Sequence, residues 1–189
     1  MLNLDKNPPI VYSAAQGAGV LDESDWAQPW TVAHCKPRQE TALAWDLRQR
    51  GTSYFLPMVL RETSSGGRRR KNLYPLFASY LFLPAGEADR LAALKTNRVV
   101  RLIAVKDAQQ ASFKREIQSL ETALRSYPDS LELHPRLAVG ARVLVKSGPL
   151  KGIEGVVLQT GPKHKLWLGV SALGVGATVE IHPDLVEPL

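Results

Sequence analysis

The chain has 189 residues, 44% hydrophobic and 22% charged, with a formal net charge of +6. That length suffices for one ordinary domain or two small ones with a buried core, and the composition excludes a disordered or fibrous chain. A single cysteine, Cys35, excludes an intramolecular disulfide and a cysteine-built zinc scaffold, and the uncharged stretch Leu73–Gly86 is broken by Pro75 and Pro84 and too short to span a bilayer.

The charge is unevenly spread. Residues 1–25 carry a net −3, residues 26–127 a net +9, and residues 128–189 balance. The whole basic excess therefore sits in one central region, the electrostatic footprint of a surface that meets phosphates, or of a solvated basic surface. With no basic N-terminal stretch leading into a long apolar run, the expected location is the cytoplasm.

Residues 1–25 hold few large apolar side chains, the pair Pro8-Pro9 and the small-residue run Ser13–Gly19, and are expected to be a flexible tail. The run Trp30–Cys35 is β-prone and stops at Lys36-Pro37, which predicts a first strand. Arg38–Arg50 is made of good helix formers, with Gly51 placed to end the helix. Tyr54–Leu60 and Leu73–Pro75, joined through Gly66-Gly67, predict a hairpin at a sheet edge whose tip projects Arg68, Arg69, Arg70 and Lys71. Tyr80–Leu83 is a further strand, Glu87–Lys95 a helix, and Val99–Val105 a β-branched strand. Phe113, Ile117, Leu120 and Leu124 recur at spacings of four, three and four, one face of an amphipathic helix.

This order predicts an α+β sandwich over residues 26–125. Residues 126–137, with Pro128 and Pro135 and no period, read as a linker. From residue 138 onward, short strands separated by glycine and proline turns predict a small all-β barrel.

No catalytic constellation is visible. The four histidines are scattered, and neither a metalloprotease HExxH, a nucleophile elbow GxSxG nor a phosphate-binding glycine loop occurs. The expectation is a binding protein with no catalytic residues, no metal and no cofactor.

The C-terminal stretch Gly140–Val157, with Gly148, Gly152 and Gly155 around a tight loop, resembles the KOW motif. Trp30–Pro37, Leu73–Phe82 and Arg98–Ile103 resemble, in order, three landmarks of the N-terminal (NGN) domain of the NusG family of transcription elongation factors. Cys35-Lys36 and Phe55–Met58 look closer to the specialised RfaH-like members than to housekeeping NusG.

The resemblance implies an NGN-like sandwich joined to an SH3-like KOW barrel, with RNA polymerase and DNA as partners. It implies docking on the polymerase clamp through Phe77, Tyr80 and Phe82, aromatic anchors of the kind that dominate interfaces. It implies contact with the non-template strand or upstream duplex through Lys36, Arg38, Gln39, Arg50, Asn97 and Arg98. His34 offers a stacking surface beside them, and Arg68–Lys71 add sequence-independent affinity. A ribosomal protein or termination factor is the implied partner of the barrel.

Two departures limit the transfer. Where RfaH-like members carry a His-Thr-Thr bridge to the far side of the polymerase cleft, this chain has Arg90-Leu91-Ala92. Eight glycines and three prolines between residues 140 and 183 oppose the refolding of the barrel into helices known in some members, at about 1 kcal/mol per interior glycine and about 3 per proline. The competing readings are a general NusG, acting without sequence preference, and a ribosome-associated KOW protein whose barrel binds RNA.

Overall fold

The computed structural model describes the chain except residues 1–6, 66–67, 85, 129–130, 136–139, 161–162 and 183–184. It contains two compact units, Met1–Ala111 and Ser112–Leu189.

In the first unit the expected tail is a correction: residues 11–27 are folded. β1 (Val11–Ser13), β2 (Gly17–Ala18) and α1 (Glu23–Ala27) occupy it. The small-residue run makes a turn, in which Ser13 Oγ accepts from the Ala15 and Gln16 amides at 3.2 and 3.3 Å and Gly17 takes a φ of 82°. Asp22 caps α1 by accepting from the Ser24 amide at 2.9 Å, while the Asp25 carboxylate accepts from the Asp22 amide at 2.9 Å, a reciprocal capping box.

β3 (Trp30–Cys35), α2 (Glu40–Gln49), β4 (Tyr54–Phe55), β5 (Met58–Ser65), β6 (Arg68–Pro75), β7 (Tyr80–Pro84), α3 (Glu87–Leu94) and β8 (Val99–Ala104) complete the unit's regular elements up to α4 (Asp107–Ser126). One sheet runs in the order β2-β1-β4-β7-β3-β8 with antiparallel ladders. Because strand residues alternate faces, Ala33, Cys35, Tyr54, Leu81 and Leu83 join Leu43, Ala44 and Leu47 of α2 and Ala93 of α3 in one buried cluster. The alternate positions Trp30, Val32, Phe55 and Phe82 are buried on the opposite face.

The predicted strand Tyr54–Leu60 is in fact two. Tyr54–Phe55 pairs within the main sheet, and after the buried Leu56-Pro57 the chain enters the separate β5–β6 hairpin. Ser65 pairs with Arg68, so Arg68, Arg69, Arg70 and Lys71 are strand residues and not the projecting tip; the Gly66-Gly67 turn lies outside the described residues.

In the second unit, β9 (Glu132–Pro135), β10 (Ala141–Val145), β11 (Glu154–Thr160), β12 (Lys163–Val170), β13 (Val175–Glu180) and β14 (Val186–Pro188) form an antiparallel sheet ordered β14-β10-β11-β12-β13-β9. The expected linker is corrected here, since β9 falls inside it and pairs with β13. α4 runs to residue 126, and the boundary between the two units falls within it. Among the described residues, β10 to β14 are joined by turns, including a 3-10 turn at Ser171–Leu173. Gly169 and Gly176 face each other across the β12–β13 ladder, and a Cβ on Gly176 would stand 2.4 Å from the Leu168 carbonyl oxygen and 2.5 Å from the Trp167 ring. The indole lies over this glycine pair, which leaves no room for a side chain.

Candidate nucleic-acid interface

The end of the first sheet where β3 stops is built from three chain segments. Cys35 donates its amide to the Ser79 carbonyl at 2.9 Å, and Lys36 donates to the Arg98 carbonyl at 2.8 Å. The β3 exit is thereby tied to the segment before β7 and to the turn before β8.

Each of these segments contributes one non-glycine residue in the left-handed region: Arg38 at φ 61°, Ser79 at φ 68° and Asn97 at φ 56°. No other described non-glycine residue has a positive φ. Such conformations cost on the order of 1–3 kcal/mol unless their surroundings hold them, and they gather at working sites. Here the holding group is Glu40, a buried carboxylate that accepts from the Ser79 amide at 2.5 Å. Burial first, and the nearby Glu40 carboxylate second, push the Cys35 thiol up to about 12, so Cys35 is a packed apolar group at pH 7.

Four of the six expected DNA-contacting residues meet directly. Arg98 donates through Nη1 to Gln39 Oε1 and through Nε to Asp46 Oδ2 at 2.6 Å. Lys36 Nζ donates to Asn97 Oδ1 at 3.5 Å. Arg38 and Arg50 flank α2 at opposite ends, about 15 Å apart along a ten-residue helix. Gln39, Asp46 and Arg50 are spaced seven and four apart, so they share one stripe of the helix beside Arg98. Lys36, Arg38, Arg50 and Asn97 are exposed, whereas Arg98 is half-buried and neutralised by Asp46.

Sequence reasoning missed Glu40, Asp46 and Ser79. The one signal for them was Asp46 standing four residues before Arg50 on the same face.

The basic strand adds a second surface. Arg69 and Lys71 are exposed, and Arg69 Nε approaches Glu62 Oε1 at 3.5 Å, with the two side chains 82% and 43% exposed. So open a pair contributes little to stability and leaves the cation available to an anion.

The aromatic residues expected to dock on polymerase stand differently. Phe77 and Phe82 are buried, packed edge to face at 5.8 Å, and Phe82 also meets Phe55 at 6.1 Å. They are core residues, because the sheet face they lie on is covered and not open. Tyr80 is half-buried and stacks on His34 at 5.1 Å, which occupies one face of the His34 ring. Arg90 and Leu91 are exposed on α3.

A scan against family models finds one match within this region. Residues 28–121 match NusG, described as transcription termination factor nusG. Over those residues, just under half of the chain, the segment is similar to the NusG family. It contains the β3 exit, α2, the basic hairpin and the α3–β8 turn, and leaves β1, β2 and α1 outside. No curated protein matches the chain. Among solved structures, one on domain interaction in Thermotoga maritima NusG is similar at 17% identity and a TM-score of 0.44, covering 85% of this chain and 97% of that one. The MjSpt4:Spt5 complex in conformation B is similar at 15% identity and a TM-score of 0.27, covering 85% of this chain and 96% of that one. Among the described residues no helix is long and apolar enough to cross a membrane.

Proposed function

We propose that the chain is a transcription elongation factor that binds RNA polymerase and, through the β3-exit cluster, the exposed non-template strand or the adjoining upstream duplex, suppressing pausing and termination. The observation that carries this reading is the placement of Lys36, Arg38, Arg50 and Asn97 as exposed groups around a braced sheet end inside the NusG-matched segment. Exposed cations neutralise phosphates, while the Asn97 amide and the guanidinium groups can reach base edges. Arg69 and Lys71 add sequence-independent affinity from the hairpin.

The action is by binding and not by catalysis. A protein that binds a closed, elongating polymerase better than an open, paused one shifts the population toward elongation by its difference in affinity. Polymerase contact falls to Tyr80 and the surface around it, with Phe77 and Phe82 supporting the sheet from within. Residues 128–189 are charge-balanced and suited to a protein partner, a ribosomal protein or termination factor, more than to nucleic acid.

The test is binding of the full chain to purified elongation complexes on scaffolds of varied non-template sequence, alongside Tyr80→Ala and Lys36→Ala/Arg38→Ala. The expected result is polymerase binding weakened by Tyr80→Ala and DNA contact weakened by the double variant. Dependence on non-template sequence marks a specialised recruited factor, and indifference marks a general one. Absence of polymerase binding overturns the proposal.

A further inference from the structure

A second feature of α2 lies on the flank away from Asp46 and Arg98. The Arg48 guanidinium sits 5.2 Å from the Trp45 ring centroid and 6.0 Å from the Tyr12 centroid. Tyr12 in turn stacks on the buried Tyr54 at 5.9 Å and 27°. The result is a ladder, Tyr54–Tyr12–Arg48–Trp45, running from the core to the surface.

Its outer rungs are not core packing. Tyr12 packs against the buried cluster, whereas Trp45 does not belong to it. The residues α2 buries are Glu40, Leu43, Ala44 and Leu47, and Trp45 falls about 150° of helical rotation from their mean direction. The indole is partly buried and lies against the exposed Arg48, so part of the ring stays open beside that guanidinium. Arg48 makes no ion pair with any described residue, and neither does Arg50 two residues on. The guanidinium is therefore available to a phosphate while it sits within cation–π distance of two rings.

Tyr12 comes from β1, in the N-terminal segment outside the NusG-matched residues. The pairing of β1 with β4 is what sets this ring beside Arg48. The added strand thus completes a platform that the matched segment by itself lacks.

We infer that Trp45, Arg48 and Tyr12 form a stacking platform for an unpaired base of single-stranded nucleic acid, with Arg48 holding the flanking phosphate. Ring stacking and a single cation suit a base of any identity, so the platform adds affinity and fixes the path of the strand across α2 without reading sequence. The inference rests on the nucleic-acid reading above, and extends the contact from the Lys36 side of α2 to its opposite flank.

The experiment is fluorescence anisotropy of the full chain with labelled oligothymidylate and with an abasic oligomer of equal length. The variants are Trp45→Ala, Trp45→Phe, Arg48→Gln and, as the reference for the other flank, Lys36→Ala/Arg38→Ala. The expected result is that Trp45→Ala weakens oligothymidylate binding roughly 5- to 150-fold, that Trp45→Phe recovers most of it, and that Trp45→Ala leaves abasic binding unchanged. Arg48→Gln should weaken both ligands. Equal binding of oligothymidylate by wild type and Trp45→Ala, with the Lys36/Arg38 variant impaired, overturns the platform and leaves the nucleic-acid reading standing. Failure of the wild type to bind either oligomer overturns both. Circular dichroism of each variant separates a lost site from a lost fold.

Discussion

Asp46 and Arg98, 52 residues apart, are joined by a 2.6 Å hydrogen bond that takes one cation out of the expected DNA-contacting set. Both side chains are about two-thirds buried, so the pair is worth more than an open surface contact, and it fixes the α3–β8 turn against α2. Asp46→Ala should lower stability by about 1 kcal/mol and free Arg98 for a phosphate. The measurement is DNA affinity against salt: the variant should bind more tightly at low salt, with a slope steeper by about one. An unchanged slope would show that Arg98 acts as a brace alone.

Gln110 holds the start of β3. Its carbonyl oxygen accepts from the Trp30 amide at 2.8 Å, and its amide group donates to the Trp30 and Val105 carbonyls, both at 2.9 Å. Trp30 is buried, so the groups left behind would not regain water freely. Gln110→Ala should therefore cost about 2 kcal/mol in chemical denaturation, well above the ordinary loss for a half-exposed helix position.

The α1 cap is sensitive to acid. The side chain of Gln16, first, and the amide of Ser24, second, hold the Asp22 carboxyl down to about 2 from its ordinary 3.8. The folded form is the stronger acid, so the cap's contribution is complete above the ordinary value and is lost as pH falls through about 2. Carboxyl NMR titration should place the Asp22 midpoint near 2, with the Ser24 amide shift following it. Asp22→Ala should abolish that response of the Ser24 amide.

In the second unit, Gly176→Ala should destabilise the β12–β13 ladder by about 2 kcal/mol or more, because the new methyl meets backbone oxygen and a large ring together. Thermal unfolding followed by Trp167 emission would register it against a Trp26→Phe/Trp30→Phe/Trp45→Phe background. A transition as stable as that of the parent would refute the close seating of the indole over Gly176.

Local pattern alone determined much of this chain. The β-prone run ending at Lys36-Pro37, the helix closed by Gly51 and the four-three-four spacing from Phe113 to Leu124 all describe elements whose backbone bonds or apolar faces are set by neighbours in sequence. The strand-rich C-terminal segment was legible for the same reason, since glycines at turns and alternating apolar positions act within a few residues. Lys36, Gln39, Asn97 and Arg98 were named together from the family resemblance, and they do meet.

Tertiary structure decided the rest. β1 is three residues long and β9 four, and each joins its sheet through a distant strand, β4 and β13 respectively, so neither a composition nor a period could announce them. The basic run Arg68–Lys71 became a strand because Ser65 to Glu62 lie opposite it. Phe77 and Phe82 went inward because the fold closes over their face, while Trp45 is only partly buried because α2 turns Leu43, Ala44 and Leu47 toward the core. Burial and ion pairing depend on which surfaces meet across the fold, and that is a non-local quantity; Asp46 beside Arg98 and Tyr12 beside Arg48 could be seen only once the sheet had assembled.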